Sequence, residues 1–463
     1  MGGALDVQPL GREKSGMMRL WFDQALLPTG WASQVELAVE AGKIASITVE
    51  IPPSPDAERH ALGLPGLPNL HSHAFQRAAA GRTGRRGPGG DSFWTWRSEI
   101  YRLAQTLTPD AIGAIAGLAY AEMLESGFTH VGEFHYVHHQ ADGAPYDNPA
   151  EIGERLIDAA EDVGIDMTLL PVFYAHSDVG GAAPRPDQAR FVSSLDLYAD
   201  LLARCRKRAA FTAGVQVGVA PHSLRAVTPD ELTAVAALAR GGPVHIHIAE
   251  QLAEVSRCEA VLGARPVDWL MANNDVTARW CLVHATHITA QELGAIVGSG
   301  AVVGLCPITE ADLGDGLFPA AAFNEAGGVW GVGSDSNVLI DAVAELRWLE
   351  YGQRLVNHGR NILAAGRLST GRSLFEAARR GGAQALSADR GGLAVGAPAT
   401  LVSLNHDDLA LWGRSGDDLL DGWIFASRTG VVDCVWSRGK LTVRNGRHVS
   451  RSRLESAYRR CVV

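Results

Sequence analysis

The sequence predicts an α/β fold: a (β/α)₈ barrel (a TIM barrel) carrying a small discontinuous β-sandwich domain built from both termini. Three observations carry that expectation. Eight short apolar runs alternate with helical stretches through the middle of the chain. Both ends are rich in β-branched residues broken by glycine. Ionisable side chains gather at the carboxyl ends of the apolar runs, where barrels of this kind keep their chemistry.

At the N-terminal end, Leu20 to Ile51 reads as short strands between Gly-containing turns, with period-two alternation in QVELAVEAGKIASITVE. The same texture returns in GGLAVGAPATLVSLN (Gly391 to Asn405) and VVDCVWSRGKLTVRNGRHV (Val431 to Val449). Residues 1–65 and 388–463 are therefore expected to form one β domain around a barrel of residues 66–387. The first dozen or so residues carry no periodic signal and are expected to be flexible. The eight barrel runs are GLPNLHSH, THVGEFHYV, MTLLPVFY, GVQVGVAPHS, PVHIHIAE, RWCLVHATH, AVVGLCPI and GVWGVGSD. Capping boxes open two of the intervening helices, Thr228 with Glu231 and Thr289 with Glu292. Two long connections rich in Gly or Pro, GRTGRRGPGGDS and AHSDVGGAAPRPDQ, follow the first and third runs and read as active-site lids.

Composition narrows the partners. The chain has 463 residues, 46% hydrophobic and 20% charged, enough to bury a large core. A net charge of −10 without a long basic run argues against nucleic acid and anionic membranes, and leaves a small molecule as the expected partner. The opening MGGALDVQPLGREKSGMM lacks the apolar stretch of a signal peptide, and AIGAIAGLAYAEML (Ala111 to Leu124) is too short to span a bilayer. Six cysteines are scattered without a CxxC pair, which suits the cytoplasm and argues against a cysteine zinc site. The H-x-E with P-C-x-x-C signature of nucleobase-editing zinc deaminases is also absent.

The chemistry lies at the run ends: His71 and His73 on the first, Glu133 and His135 on the second, and His222 on the fourth. His245, His247 and Glu250 follow on the fifth, His284 and His287 on the sixth, and Asp335 on the eighth. Residues two apart on a strand face the same side, so His71 and His73 can grip one ion, joined by His247 and Asp335. Three imidazoles and a carboxylate suit Zn²⁺ with water at an open position, and the same set also accepts Fe²⁺. Each signal alone is weak. HSH arises easily among 16 histidines, and GSD is a common turn. The order along the chain is what carries the reading, because a purely structural account needs several buried polar groups to find unrelated partners.

PGLPNLHSHAF, HIHIAEQ, LVHATH and GVGSDS, in that order, resemble the amidohydrolase superfamily in its deaminase and chlorohydrolase-like branch. The resemblance runs from about Leu20 onward. Within it, HAFQRAAAGR, DSFWTWR, GEFHYVHH, APHSLRAV, HIHIAEQ and CPITEADLGDG are similar to the formimidoylglutamate deiminases of histidine degradation. The resemblance implies one zinc ion on His71, His73, His247 and Asp335, since the carboxylated Lys of binuclear relatives has no counterpart in GVQVGVAPHS. It implies Glu250 as proton shuttle, His284 as the group orienting the attacking water, and Asp335 as acceptor of that water's proton. The implied substrate is N-formimidoyl-L-glutamate, converted to N-formyl-L-glutamate and ammonia. Its two carboxylates call for Arg97 and Arg225, in the loops after the first and fourth runs, with Gln76, Tyr136 and His222 completing the contacts. Taken singly, Arg97 would read as a solvated loop charge, Trp94 and Trp96 as packing aromatics and Gln76 as a helix-surface residue. Arg82, Arg85 and Arg86 read as a solvated lid without a role. Related enzymes are often dimers, so a homodimer is a further expectation. Two rivals stand beside this reading: a deaminase of a heterocycle (guanine, adenosine-like or triazine), and a metal-binding protein without catalysis.

Overall fold

The computed structural model describes residues 17–86, 89–388, 392–428 and 430–462. The opening segment expected to be flexible lies outside these residues, as do positions 87 and 88 of the first lid.

Every one of the eight predicted runs contains a barrel strand. They are β1 (Leu67–Ser72), β2 (Phe128–His135), β3 (Asp166–Phe173), β4 (Val215–Val217 and Ala220–Pro221), β5 (Val244–Ile248), β6 (Trp280–His284), β7 (Val302–Leu305) and β8 (Val329–Val332). All neighbouring pairs are parallel. Bridges between Val219 and Val244 and between Ser72 and Asp335 join the two arcs of the sheet, closing the barrel. The second of these draws the metal-type residues at the ends of β1 and β8 together. β4 is interrupted at Gly218, where a Cβ would lie 2.7 Å from Leu170 and 2.8 Å from Pro243. The backbone passes too close to its neighbours there for any other residue.

The helices follow from their caps. Thr108 accepts from the Ala111 N–H to start Pro109–Ser126, with Pro at the first turn, and Gly127 ends it at φ 101°. That helix is buried along most of its length. Thr228 and Thr289 cap Pro229–Leu238 and Ala290–Ser299 through the expected boxes.

Strands from both ends share one hydrogen-bonded path of eight. Met18–Leu27, Gly30–Glu40, Lys43–Thr48 and Glu58–Pro65 supply one half; Leu401–Leu404, Val432–Ser437, Lys440–Arg444 and Arg447–His448 supply the other. This β domain has a core of its own around Leu20, Phe22, Val35, Leu37, Leu401 and Trp436. The segment GGLAVGAPAT before Leu401, expected to be strand-like, forms turns in its described part, because its glycines and Pro398 break the ladder.

Candidate active site

Strand parity builds the centre. His71 and His73 end β1, His247 ends β5, and Asp335 follows β8. His247 Nε2 lies 3.1 Å from His71 Nε2. Asp335 Oδ1 lies 3.6 Å from His71 Nε2 and 3.3 Å from His73 Nε2. Backbone bonds hold these ends in register: the Asp335 N–H donates to the His71 carbonyl, and the His73 N–H to the Asp335 carbonyl, both at 2.9 Å.

The tautomers decide what this cluster can hold. His73 Nδ1 donates to the Phe134 carbonyl at 2.7 Å, and His247 Nδ1 to the His222 carbonyl at 3.1 Å. A neutral imidazole has one N–H, so both rings turn an Nε2 lone pair inward. Burial drives the pKa of His71 down to about 3 and lowers those of His73 and His247. Burial pushes Asp335 up, but the imidazoles of His71 and His73 beside it more than offset this, and its carboxyl is lowered. Neutral nitrogens and a carboxylate facing one point are a donor set for a divalent cation, with ring orientations fixed by outer hydrogen bonds. Cys306 also reaches this centre, beside His284 and Asp335, but burial pushes its thiol well above the ordinary value.

Four residues without glycine's freedom hold positive φ here: Ala249 at 53°, His284 at 71°, Ala285 at 49° and Asp335 at 44°. They follow or end β5, β6 and β8, so backbone strain is concentrated on the rim that carries the chemistry.

Above the cluster opens a cavity at the barrel mouth. Ten of the eleven residues singled out from sequence line it: His73, Gln76, Arg97, Tyr136, His222, Arg225, His247, Glu250, His284 and Asp335. His71, the eleventh, is fully buried beneath. Glu250 reaches two ways, with Oε1 3.7 Å from His284 Nε2 and Oε2 3.5 Å from Arg225 Nη2. Burial raises its pKa. His284 Nε2 is also 3.9 Å from Asp335 Oδ2, and its ring stacks on His247 at 5.5 Å. Burial lowers His284, yet Glu250 and the hydrogen-bonded Glu310 raise it further, to about 10. Gln76 Nε2 donates to the Tyr136 hydroxyl at 3.0 Å.

The two arginines are short of anions. Arg97 has no hydrogen bond or ion pair among the described residues; its guanidinium lies over the rings of Trp94 at 4.5 Å and Tyr101 at 5.6 Å. Arg225 is 7% exposed, and its Nε lacks any partner. Arg97 sits on the helix Phe93–Thr106 rather than in a loop, because Ser92 and Thr95 cap that helix inside the lid.

Other strand-end residues stay outside the cavity. Glu133, raised to about 8 by burial, accepts from the Ala74 N–H at 2.8 Å and so anchors the turn after His73. His135 donates to the Val137 carbonyl. Arg82, Arg85 and Arg86 are exposed. Sequence reasoning missed Phe93, Trp96, Tyr101, Tyr174, Ser223 and Leu313, which also line the cavity. Tyr101 was findable, lying one helical turn after Arg97. Tyr174 follows β3 directly, with its hydroxyl 3.2 Å from that of Tyr101.

Residues 63–442 match the profile of the Amidohydrolase family, and residues 18–61 match that of the formimidoylglutamate deiminase HutF N-terminal domain. The chain is 47% identical over 448 residues to formimidoylglutamate deiminase of Pseudomonas aeruginosa, covering 96% of this chain and 98% of that protein. It is 30% identical over 416 residues to 8-oxoguanine deaminase of the same species, covering 86% and 88%. Among solved structures, an amidohydrolase from Brucella melitensis superposes with a TM-score of 0.93 at 50% identity, covering 96% of this chain and 99% of that one.

Proposed function

We infer the reaction from one premise: this chain belongs to the amidohydrolase family. It hydrolyses N-formimidoyl-L-glutamate to N-formyl-L-glutamate and ammonia, a step of histidine degradation. The observation that carries this substrate is the pair of half-buried and buried guanidiniums, Arg97 and Arg225, in the same cavity as the histidine cluster. A flat heterocycle asks for no such pair, whereas two carboxylates do.

In this reading residues 66–387 form the catalytic unit, and the two ends form the β domain. One divalent ion would be held by His71, His73, His247 and Asp335, and it would supply a water activated for attack at neutral pH. Zn²⁺ suits these donors best, and Fe²⁺ fits them too. A single ion is expected because β4 offers no lysine.

Arg97 and Arg225 bind the two carboxylates, while Gln76, Tyr136 and His222 fix the rest of the substrate, so the formimidoyl carbon faces the centre. Asp335 Oδ2 and His284 Nε2 orient the nucleophile, and Asp335 takes its proton. Glu250, whose pKa burial raises, hands protons to the nitrogen that leaves as ammonia. Filling the cavity with substrate would also shut out bulk water, strengthening each of these interactions.

No helix among the described residues is long and apolar enough to cross a membrane, and all six cysteines are unpaired. Free cysteines suit a reducing compartment, and we place the reaction in the cytoplasm on that ground. The test is ammonia release by metal-loaded protein over a panel of N-formimidoyl-L-glutamate, guanine, 8-oxoguanine, adenosine and a triazine. Turnover of the first alone is expected. Preference for any heterocycle would transfer the chain to the second reading, which its likeness to 8-oxoguanine deaminase keeps in view.

A further inference from the structure

Glu310 lies in the segment CPITEADLGDG, whose Cys306 approaches the metal-type cluster and whose Leu313 lines the pocket, yet neither explains this buried carboxylate. It stands on the short helix Pro307–Leu313 after β7 and is 5% exposed. Its Oε1 accepts from the Cys306 N–H at 2.9 Å and meets His284 Nδ1 at 3.2 Å. The Asp315 N–H closes the segment onto the Glu310 carbonyl, also at 2.9 Å. The carboxylate is therefore pinned from its own backbone side and aimed at one imidazole.

We propose that Glu310 is the positioning residue of His284: it holds the Nδ1 proton and so presents Nε2 to the reacting water and to Glu250. The inference rests on the deiminase reading given above. Torsion about the bond to an imidazole ring is broad and roughly two-fold, so the backbone alone does not choose which nitrogen faces the cavity. A carboxylate at Nδ1 chooses it. It fixes that nitrogen as an N–H and turns Nε2 toward the cavity, as the orienting group does in other base-and-orienter pairs. His284 Nε2 then looks at both Glu250 Oε1 and Asp335 Oδ2, at 3.7 and 3.9 Å. The ring's other polar partners, Glu250 and Asp335, lie on the cavity side and its ring neighbours are His247 and His71, so Glu310 is its hydrogen-bonding anchor from behind.

Two variants of similar volume separate orientation from charge. In Glu310→Gln an amide oxygen can take the place of Oε1 and still accept from both Cys306 N–H and His284 Nδ1–H. In Glu310→Met neither bond survives. Expected for Glu310→Met is a fall in kcat of about 100-fold, the low end of general acid–base effects. KM should stay within about threefold, metal content per chain unchanged, and the His284 ring rotated in a crystal structure. Glu310→Gln should keep the ring in place and rescue kcat to within about tenfold of the parent. If Glu310→Met does not fold, Glu310→Asp replaces it, with kcat reduced at least about tenfold at unchanged KM because the shorter side chain cannot serve both partners. A Met or Asp variant with parental kcat and an unmoved ring would overturn the proposal, as would a Gln variant no better than Met. Should the parent itself release no ammonia from N-formimidoyl-L-glutamate, the functional reading fails, and the ring orientation in the variant structures still decides the role of Glu310.

Discussion

His245 and His247 stand two residues apart on β5, face the same side of it, and end in opposite surroundings. His245 points to the floor of the barrel, where Nε2 donates to the Ala385 carbonyl at 2.8 Å at the end of the helix Thr370–Ala385. His247 points to the mouth, where its Nε2 meets another imidazole instead of an acceptor. The contrast extends beyond this strand. His135, His138 and His448 each give a ring N–H to a backbone carbonyl, of Val137, Val172 and Val163 respectively. At the mouth the carbonyl partners take only the outward nitrogens, and the inward ones converge. A ring N–H on a carbonyl completes the histidines outside the mouth; at the mouth the remaining lone pairs face one another, and that arrangement suits a cation.

The strongest way to break this contrast is to remove what the mouth requires. Dialysis against a chelator should abolish ammonia release, and Zn²⁺ should restore it, while the far-UV signal of the barrel barely changes. Retention of turnover by protein shown to be metal-free would end the metal reading. Next in size is Glu250→Gln, which keeps shape and removes the proton carrier. A loss of roughly 10³-fold in kcat with metal still bound is expected, within the range of general acid–base catalysis. Parental turnover in that variant would strip Glu250 of its role.

Sharpening the mouth further means testing its cations. Each charge-assisted contact is worth about 1.5–3 kcal/mol, so Arg97→Met and Arg225→Met should each raise KM by roughly 10- to 150-fold. The losses should fall mainly on KM for Arg97, which makes no hydrogen bond or ion pair among the described residues, and partly on kcat for Arg225, which also approaches Glu250. Steady-state kinetics on the dicarboxylate substrate decides it, and an unchanged KM in both variants would remove the argument for two carboxylates.

Much of this was legible beforehand, and the reason is periodicity. Strand alternation and the order of HSH, HIHIAE, LVHATH and GSD put the residues of the centre on one rim without any knowledge of side-chain contacts. What parity cannot do is tell His245 from His247, since both face inward. Depth separates them, and depth is set by a helix end 140 residues further along the chain. The same limit hid Glu310, whose partner arrives from the preceding strand, and Tyr174, which joins Tyr101 across 73 positions. Arg97 was placed in a loop because a Gly- and Pro-rich lid masked the Ser92 and Thr95 cap that begins its helix.

The smallest effect lies at the floor, and it tests the other half of the contrast. Burial lowers the pKa of His245 from 6.5 to about 4, with the Ala385 carbonyl pulling slightly the other way. Its Nδ1 is buried without a partner, so the second proton has nowhere to be solvated. The unfolded chain therefore binds more protons than the folded one between pH 6.5 and about 4. The stability His245 supports is complete above that window and declines as pH falls through it. From these two values the decline at pH 5 is about 2 kcal/mol for this residue. His245→Gln can keep the bond to Ala385 through its amide N–H while removing the titration. It should cost about 1 kcal/mol at pH 7.5, as an imperfect core replacement. It should also narrow the gap in guanidinium midpoint between pH 7.5 and pH 5. Equal gaps in parent and variant would mean that the floor histidine is not held neutral, and would leave His245 no different in kind from its neighbour at the mouth.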